Sequence, residues 1–256
     1  MFERAVWDGL TAKDLAQQLG LPRVHVLDEV DSTLDVAHKL AQEDAPGGTL
    51  VVANHQRAGR GRLGRAWSSP AGAGVWSTLI ERPAEAAALD VLSLRVGLEV
   101  AERLDAIARA IVHLKWPNDL MVASHQSLVT HEKLGGVLVE AKWAGKAFGW
   151  VAIGVGVNVA KPADQPAAAG LPAGVRRLDV LAAVVAGVRA AAARGGHLDA
   201  GELMRFAARD ALAGTRIVQP LAGVAAGIAA DGALLVDTPR GTQQCRTGTI
   251  RMAEDS

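Results

Sequence analysis

The run Arg57-Ala-Gly-Arg-Gly-Arg-Leu-Gly-Arg65 places four arginines and three glycines in nine residues, shortly after the apolar segment Thr49-Leu-Val-Val-Ala53. Glycine contributes no buried side chain, and an unpaired buried guanidinium is costly, so this run builds no core. It suits a helix interior no better, since each glycine there costs about 1 kcal/mol relative to alanine. Ordering such a loop costs roughly 1–2 kcal/mol per residue in backbone entropy. A bound anion that meets backbone N–H groups and guanidinium forks would offset that cost, and a solvated basic loop is the alternative. Gly59-x-Gly61-x-x-Gly64 also fits the dinucleotide fingerprint, with Glu81 at the distance of a ribose-binding acid. That fingerprint needs a helix after its third glycine, and Pro70, Gly72 and Gly74 exclude one here.

Four further polar motifs punctuate apolar segments: Asp31-Ser-Thr33, Lys115-Trp-Pro-Asn-Asp119, Lys133-Leu-Gly-Gly136 and Gly154-Val-Gly-Val-Asn158. Each has a plain structural explanation as well. Ser32 and Asp35 have the spacing of a helix-capping pair. Asn118 and Asp119 suit a turn after Pro117. Trp67 and Trp116 could be core aromatics, and Lys133 a solvated lysine before a strand. The glycines at 154 and 156 are odd in a plain strand and would let a ligand or another backbone approach closely.

The elements that must position these motifs follow from periodicity. A short helix is expected over Leu10–Gly20, a strand over Val24–Val30, a helix over Leu34–Gln42, and strands over Thr49–Ala53 and Val75–Ile80. Ala84–Ala110 has helical periodicity. Ile111–Lys115 and Leu120–Ala123 suit paired short strands. Ser124–Glu132 is expected to be a polar connection, and Leu134–Trp143 with Phe148–Val159 a hairpin around Ala144-Gly145-Lys146. A Pro/Ala-rich connector covers Lys161–Gly174. Helices over Arg177–Arg194 and Ala200–Ala213 follow, the second with Asp199 as N-cap. From Gly214 onward, short segments (Arg216–Gln219, Val224–Ala229, Ala233–Asp237, Gln244–Ile250) alternate with turns and predict a small β-barrel that leans on the main domain.

The 256 residues, half of them hydrophobic, are enough for one large domain with a small appendage. No run of eighteen apolar residues occurs, which argues against a membrane span. The N-terminus shows no basic head followed by an apolar stretch, and Cys245 is the single cysteine. A cytoplasmic enzyme or binding protein fits these features. The seven histidines show no metal-ligand spacing. Net charge is zero, so the basic charge is local to Arg57–Arg65, which favours a small anionic ligand over a polyanion.

Taken together, and in this order along the chain, the five motifs resemble the biotin protein ligase family, the biotin–acetyl-CoA-carboxylase ligases. The resemblance runs from about Val26 through the C-terminal segment, and the Gly-Arg-Gly-Arg-x-Gly-Arg loop and Lys-Trp-Pro-Asn-Asp carry most of it. It implies an α+β fold: a mixed, largely antiparallel β-sheet flanked by helices, of class II synthetase type, over residues 1–213, and a small SH3-like β-barrel over 214–256. It implies that biotin is activated with ATP and Mg²⁺ to biotinyl-5′-AMP and passed to a lysine of a biotin carboxyl carrier protein. Ser32, Thr33 and Gln56 would then hydrogen-bond the biotin ring, with Gly59 and Gly136 allowing close approach. Arg60 and Arg62 would engage carboxylate and phosphate, and Lys133 would stand at the reacting carboxylate. Lys115 and Arg65 would meet the phosphates, Asn118 and Asn158 the nucleotide, Trp67 the adenine, and Asp119 the Mg²⁺.

Two departures from the family pattern stand out. Leu34 replaces the asparagine usual after Asp-Ser-Thr, and the Ser124–Glu132 connection is longer than usual. A lipoate or octanoate ligase would carry Arg-Arg-x-Ser-Gly-Gly-Gly, which this sequence lacks. A biotin-sensing repressor would need a winged helix-turn-helix ahead of the catalytic domain. Thr11–Gly20 resembles only half of one, so the expectation is a short form without specific DNA binding or membrane attachment. The resemblance leaves a homodimer open. If ligand offsets the ordering of the Arg/Gly loop, Gly59–Arg65 should become protected from proteolysis once the adenylate forms. Equal cleavage in both states would count against that role.

Overall fold

In this computed structural model, residues 5–82, 88–124, 127–144 and 147–253 are described. Helix α1 (Ala12–Leu19) is closed at its start by a reciprocal cap between Thr11 and Asp14 and leans on strand β1 (Arg23–Val30) through Leu15. Helix α2 (Thr33–Gln42) crosses from β1 to β2 (Thr49–Gln56), which pairs with β1 in parallel. Strand β3 (Gly74–Glu81) and helix α3 (Leu89–Ala108) follow, and then β4 (His113–Lys115) and β5 (Asp119–Ser124). The long strands β6 (Ser127–Ala144) and β7 (Ala147–Asn158) complete a seven-stranded sheet in the order β1-β2-β3-β7-β6-β5-β4. Every pair except β1·β2 is antiparallel.

The sheet has two different faces. Along β7, Val151, Ile153, Val155 and Val157 enter the main core, where β3 and β7 carry helix α4 (Arg177–Ala192), which packs on α3. The alternate positions of β7 point the other way. Ala152 packs with Leu34, Ala37 and Ala41 of α2 in a second, smaller cluster. Gly154 and Gly156 continue that face and leave it bare. A period of two thus assigns one strand to both a core and a cavity wall.

Several sequence expectations shift. Residues 127–132, expected in a polar connection, belong to β6, where His131 pairs with Ala123 and Glu132 with Val122. Backbone pairing needs no apolar side chains, so polarity hid the strand. Helix α5 (Ala200–Ala207) is shorter than expected. The backbone beyond it turns to β4 instead, with Leu114 N–H donating to Arg209 O at 2.8 Å and Ala211 N–H to Leu114 O at 2.9 Å. This pairing covers an otherwise open sheet edge. Ser32 does cap α2, but through Leu34 N–H at 3.4 Å, whereas Asp35 turns to Arg60. Of the helix expected over Ala84–Ala110, α3 covers Leu89–Ala108, while residues 84–87, like 145–146 of the expected turn, lie outside the described residues.

A second sheet follows in the order β11-β10-β9-β8-β12, all antiparallel. Its strands are β8 (Arg216–Gln219), β9 (Gly223–Ile228), β10 (Leu234–Thr238), β11 (Gly241–Cys245) and β12 (Arg251–Met252). The expected strand over Gln244–Ile250 is interrupted, which frees residues 246–250 from pairing in the sheet. Ile217, Ala225, Leu234 and Val236 join the main hydrophobic core, and Trp116 Nε1 donates to Gly232 O at 2.9 Å. Among the described residues, no helix is long and apolar enough to cross a membrane.

One fully buried ion pair ties α3 to α5. Arg95 Nε donates to Glu202 Oε1 at 2.7 Å with both side chains 1% exposed, and Arg95 also donates to the carbonyls of Arg194, Gly196 and His197. Arg95→Met would leave Glu202 with the more exposed Arg194, at 3.4 Å, as its remaining cation. The expected loss is about 3 kcal/mol, read as a lower urea midpoint at constant m-value. A loss below about 1 kcal/mol would mean that water already reaches the pair.

Candidate active site

A cavity of about 250 Å³ opens on the bare face of the sheet, bordered by the start of α2, the end of β2, the Arg/Gly loop, the β4–β5 turn, β6, β7 and residues 248–250. Its inner end is polar and closely bonded. Gln56 Oε1 accepts from Thr33 N–H at 2.9 Å and from Thr33 Oγ1 at 3.0 Å, while Gln56 Nε2 donates to Ser69 Oγ at 2.8 Å. Thr33 Oγ1 lies 2.8 Å from Thr78 Oγ1. These partners fix the orientation of the Gln56 amide, since the oxygen can only accept and the nitrogen can only donate. Ser32 is buried beside them.

The Arg/Gly loop is a small hairpin with its own backbone bonds. Trp67 N–H donates to Gly59 O at 2.8 Å, Gly61 N–H to Arg65 O at 2.7 Å, and Arg65 N–H to Arg62 O at 3.2 Å. Part of the ordering cost inferred from sequence is therefore met internally. At its tip, Leu63 adopts φ 57° and is 70% exposed. Gly59 lies outside the cavity lining. A Cβ there would stand 2.5 Å from Trp67 O and 2.8 Å from Ser69 Oγ, so this glycine lets the hairpin close against its own base.

Cations converge on the cavity from three segments. Arg60 Nη2 lies 3.0 Å from Asp35 and 3.3 Å from Glu140, and Arg65 Nη2 donates to Thr249 Oγ1 at 3.2 Å. Arg62 forms no ion pair among the described residues. Burial lowers its guanidinium pKa, Asp119 opposes that shift, and Arg65 adds to it. Lys115 borders the cavity from the end of β4. Lys133 Nζ sits 2.6 Å from Asp119 Oδ1 and 5.1 Å from the centre of the Trp67 ring. Arg57, by contrast, pairs with Glu29 and Asp31 outside the cavity.

Lys133 owes its position to two backbone devices. Leu120 pairs with Gly135 but Met121 with Lys133, so β6 carries an extra residue there. Without this bulge, Lys133 and Gly136, three apart, would point to opposite faces; with it, both border the cavity. The connector after β7 then brackets the lysine, with Lys133 N–H donating to Ala167 O at 3.0 Å and Ala169 N–H to Lys133 O at 2.8 Å. Asn158, expected at the nucleotide, is buried behind this bracket with its Nδ2 donating to Ala169 O at 3.1 Å, and it does not line the cavity. Asn118 does line it, with its Nδ2 bonded to Val137 O at 2.9 Å.

The cavity thus gathers Ser32, Thr33, Gln56, Arg60, Arg62, Arg65, Trp67, Lys115, Asn118, Asp119, Lys133 and Gly136, while Gly59 and Asn158 support it from behind. Sequence reasoning missed Thr78, Gln165 and Thr249, which also border it. The Ser-Thr pair inside an otherwise apolar strand was a usable signal for Thr78; Thr249 offered none. Leu34, at the position of the family's asparagine, packs against Gly154 in the second cluster and also borders the cavity. Among the described residues no three His, Cys, Asp or Glu side chains gather for a metal. Asp119 is, among the described residues, the one carboxylate lining the cavity. Mg²⁺ binds through one or two carboxylates and completes its shell with water and phosphate oxygens, so this single acid fits a phosphate-borne Mg²⁺ once Lys133 shifts from it.

The α+β domain thus holds a cavity with a closely bonded polar inner end and a cationic mouth. Residues 26–158, just over half of the chain, match the Biotin/lipoate A/B protein ligase family, and the chain belongs to that family. It is 38% identical over 139 residues to the bifunctional ligase/repressor BirA of Bacillus spizizenii, an alignment covering 54% of this chain and 41% of that protein. It is 37% identical over 145 residues to the biotin–[acetyl-CoA-carboxylase] ligase of Paracoccus denitrificans, covering 56% and 57%. The chain therefore spans about half the length of these relatives. Its fold superposes on the biotin protein ligase of Aquifex aeolicus, solved in complex with biotin and ATP, with a TM-score of 0.73 at 25% identity, covering 91% of this chain and all of that one.

Gly59→Ala tests the hairpin. The added methyl group meets backbone and Ser69 rather than a yielding side chain. In hydrogen exchange, Trp67 N–H should lose protection while the β2 and β3 amides keep theirs. Unchanged protection of Trp67 would mean that the loop accommodates the methyl group.

Proposed function

We propose that this chain is a biotin protein ligase. It joins biotin to ATP as biotinyl-5′-AMP and then transfers the biotinyl group to a lysine of a biotin carboxyl carrier protein, the subunit of a carboxylase. The observation that carries this reading is the junction, in one cavity, of the buried Thr33–Gln56 polar end with the Lys133–Asp119 pair and the arginine hairpin. The names of the Paracoccus and Aquifex relatives support it.

A carboxylate is a poor electrophile, and an ordinary lysine is protonated near neutral pH. Activation must therefore come first. A biotin carboxylate oxygen attacks the α-phosphorus, the bond to the bridging oxygen of the β-phosphate breaks, and pyrophosphate leaves. The carrier's amine, after losing a proton, then attacks the acyl carbon, and the C–O bond to AMP breaks. Both steps crowd negative charge, so preorganised cations lower both barriers.

Ser32, Thr33 and Gln56 hold the biotin ring at the inner end, with Gly136 leaving room beside it and Gly59 letting the hairpin close behind it. Arg60 and Arg62 engage the carboxylate and the α-phosphate, and Lys133, leaving Asp119, stabilises the oxygen that changes partners in both steps. Arg65 and Lys115 bind the outer phosphates. Trp67 offers its ring to the adenine and Asn118 its amide to the nucleotide. A contact from Asn158 would require its amide to leave Ala169 O. Asp119 would hold Mg²⁺, which supplies charge neutralisation at the phosphates. Closure of the arginine hairpin over the adenylate would keep water from it. Residues 214–256 are read as an SH3-like barrel appended to a catalytic unit over 1–213, and the setting as cytoplasmic.

The test is intact mass spectrometry of a biotin carrier domain incubated with this protein, Mg²⁺-ATP and either biotin or lipoate. An ATP-dependent gain of one biotinyl mass is expected, reduced at least about a hundredfold in rate by Lys133→Ala with folding retained. A gain with lipoate alone, on a carrier that a known biotin ligase does label, would reject the specificity. Unchanged labelling by the Lys133 variant would remove that residue from the site.

A further inference from the structure

Arg60 reaches the cavity from a loop, and its flexible side chain must be ordered before its fork can serve a ligand. Two carboxylates order it, and both do so through Nη2: Asp35 Oδ1 at 3.0 Å and Glu140 Oε2 at 3.3 Å. Its hydrogen bond to Glu140 is donated by Nη2. Glu140 is the better anchor of the two. It stands on β6, on the same face as Gly136 and Leu138, and its side chain is 30% exposed against 55% for Asp35. Solvent therefore screens it less.

Glu140 is itself held in place. His38 Nε2 lies 2.7 Å from Glu140 Oε2, and Trp150 Nε1 donates to His38 Nδ1 at 3.1 Å. An indole N–H can only donate, so Nδ1 accepts and Nε2 carries the proton that His38 gives to Glu140. The order Trp150–His38–Glu140–Arg60 is thus fixed in direction from the sheet outward to the cavity. None of Trp150, His38 and Glu140 lines the cavity.

We propose that Glu140, oriented by His38, is a positioning residue for Arg60. It holds one guanidinium nitrogen so that the remaining N–H groups face the substrate's carboxylate or phosphate. The inference rests on the role given to Arg60 above. A carboxylate that only sequestered Arg60 would have the opposite effect, because its removal would release the arginine to the ligand.

The experiment follows pyrophosphate release across biotin concentrations for the full chain carrying Glu140→Ala, Glu140→Gln, Arg60→Ala or the double replacement R60A/E140A, each with a thermal melt. E140A should raise the KM for biotin about tenfold, the scale at which loss of an orienting partner is felt, with a smaller change in kcat. E140Q, whose amide oxygen still accepts from Arg60, should recover much of the loss, and R60A/E140A should be no worse than R60A. If E140A folds poorly, His38→Gln carries the comparison, with KM expected to rise in the same direction and an unchanged KM overturning the proposal. An E140A enzyme that equals or betters the parent, or losses that add in the double variant, would overturn the proposal while an impaired R60A leaves the role of Arg60 intact. An R60A enzyme that matches the parent would overturn both.

Discussion

Five cationic side chains border one small cavity, and like charges that close repel strongly wherever water is partly excluded. The fold answers this with counter-groups on its rigid elements. Asp119 on β5 faces Lys133, Asp35 on α2 and Glu140 on β6 hold Arg60, and the Thr249 hydroxyl meets Arg65. Each contact engages only part of its cation, so donor capacity remains for an anion. Arg62 forms no ion pair among the described residues, and burial, more than its neighbour Arg65, lowers its pKa while Asp119 opposes the shift. Such a cluster of cations suits an anionic group more than a neutral one.

This arrangement depends on a sheet that does two jobs. Valines and isoleucine at alternate positions of β7 fill the core, and the glycines between them give the cavity a floor of backbone. Trp67 already approaches that floor: a Cβ on Gly156 would lie 2.7 Å from its indole nitrogen. The β6 bulge then brings Lys133 to the same side, and the 167–169 bracket fixes the strand where the bulge would otherwise weaken pairing.

Most of this was legible in the chain's own residues. Alternation located β1, β2, β3 and the β6–β7 hairpin, and the five polar motifs do converge on one place. What escaped has identifiable causes. Residues 127–132 pair through their backbone, which polarity conceals, and α5 stops early because residues 209–211 pair with β4, a contact between distant segments. Asp35 has the spacing of a cap partner but meets Arg60 across a gap that only the folded chain closes. Asn158 and Gly59 were placed at the ligand by motif, whereas the local geometry gives them supporting positions. The bulge and its bracket could not be read at all, since they arise from register between strands.

The stretch that interrupts the last strands has a wider consequence. Gly248, Thr249 and Ile250 border the cavity, and Thr249 meets Arg65 from 184 residues away. The family match ends at residue 158, so this wall lies beyond the segment by which relatives are recognised. A fragment confined to residues 26–158 therefore lacks one wall of the cavity. Changes in residues 248–250 would thus alter a wall of the cavity while every motif named above stayed unchanged.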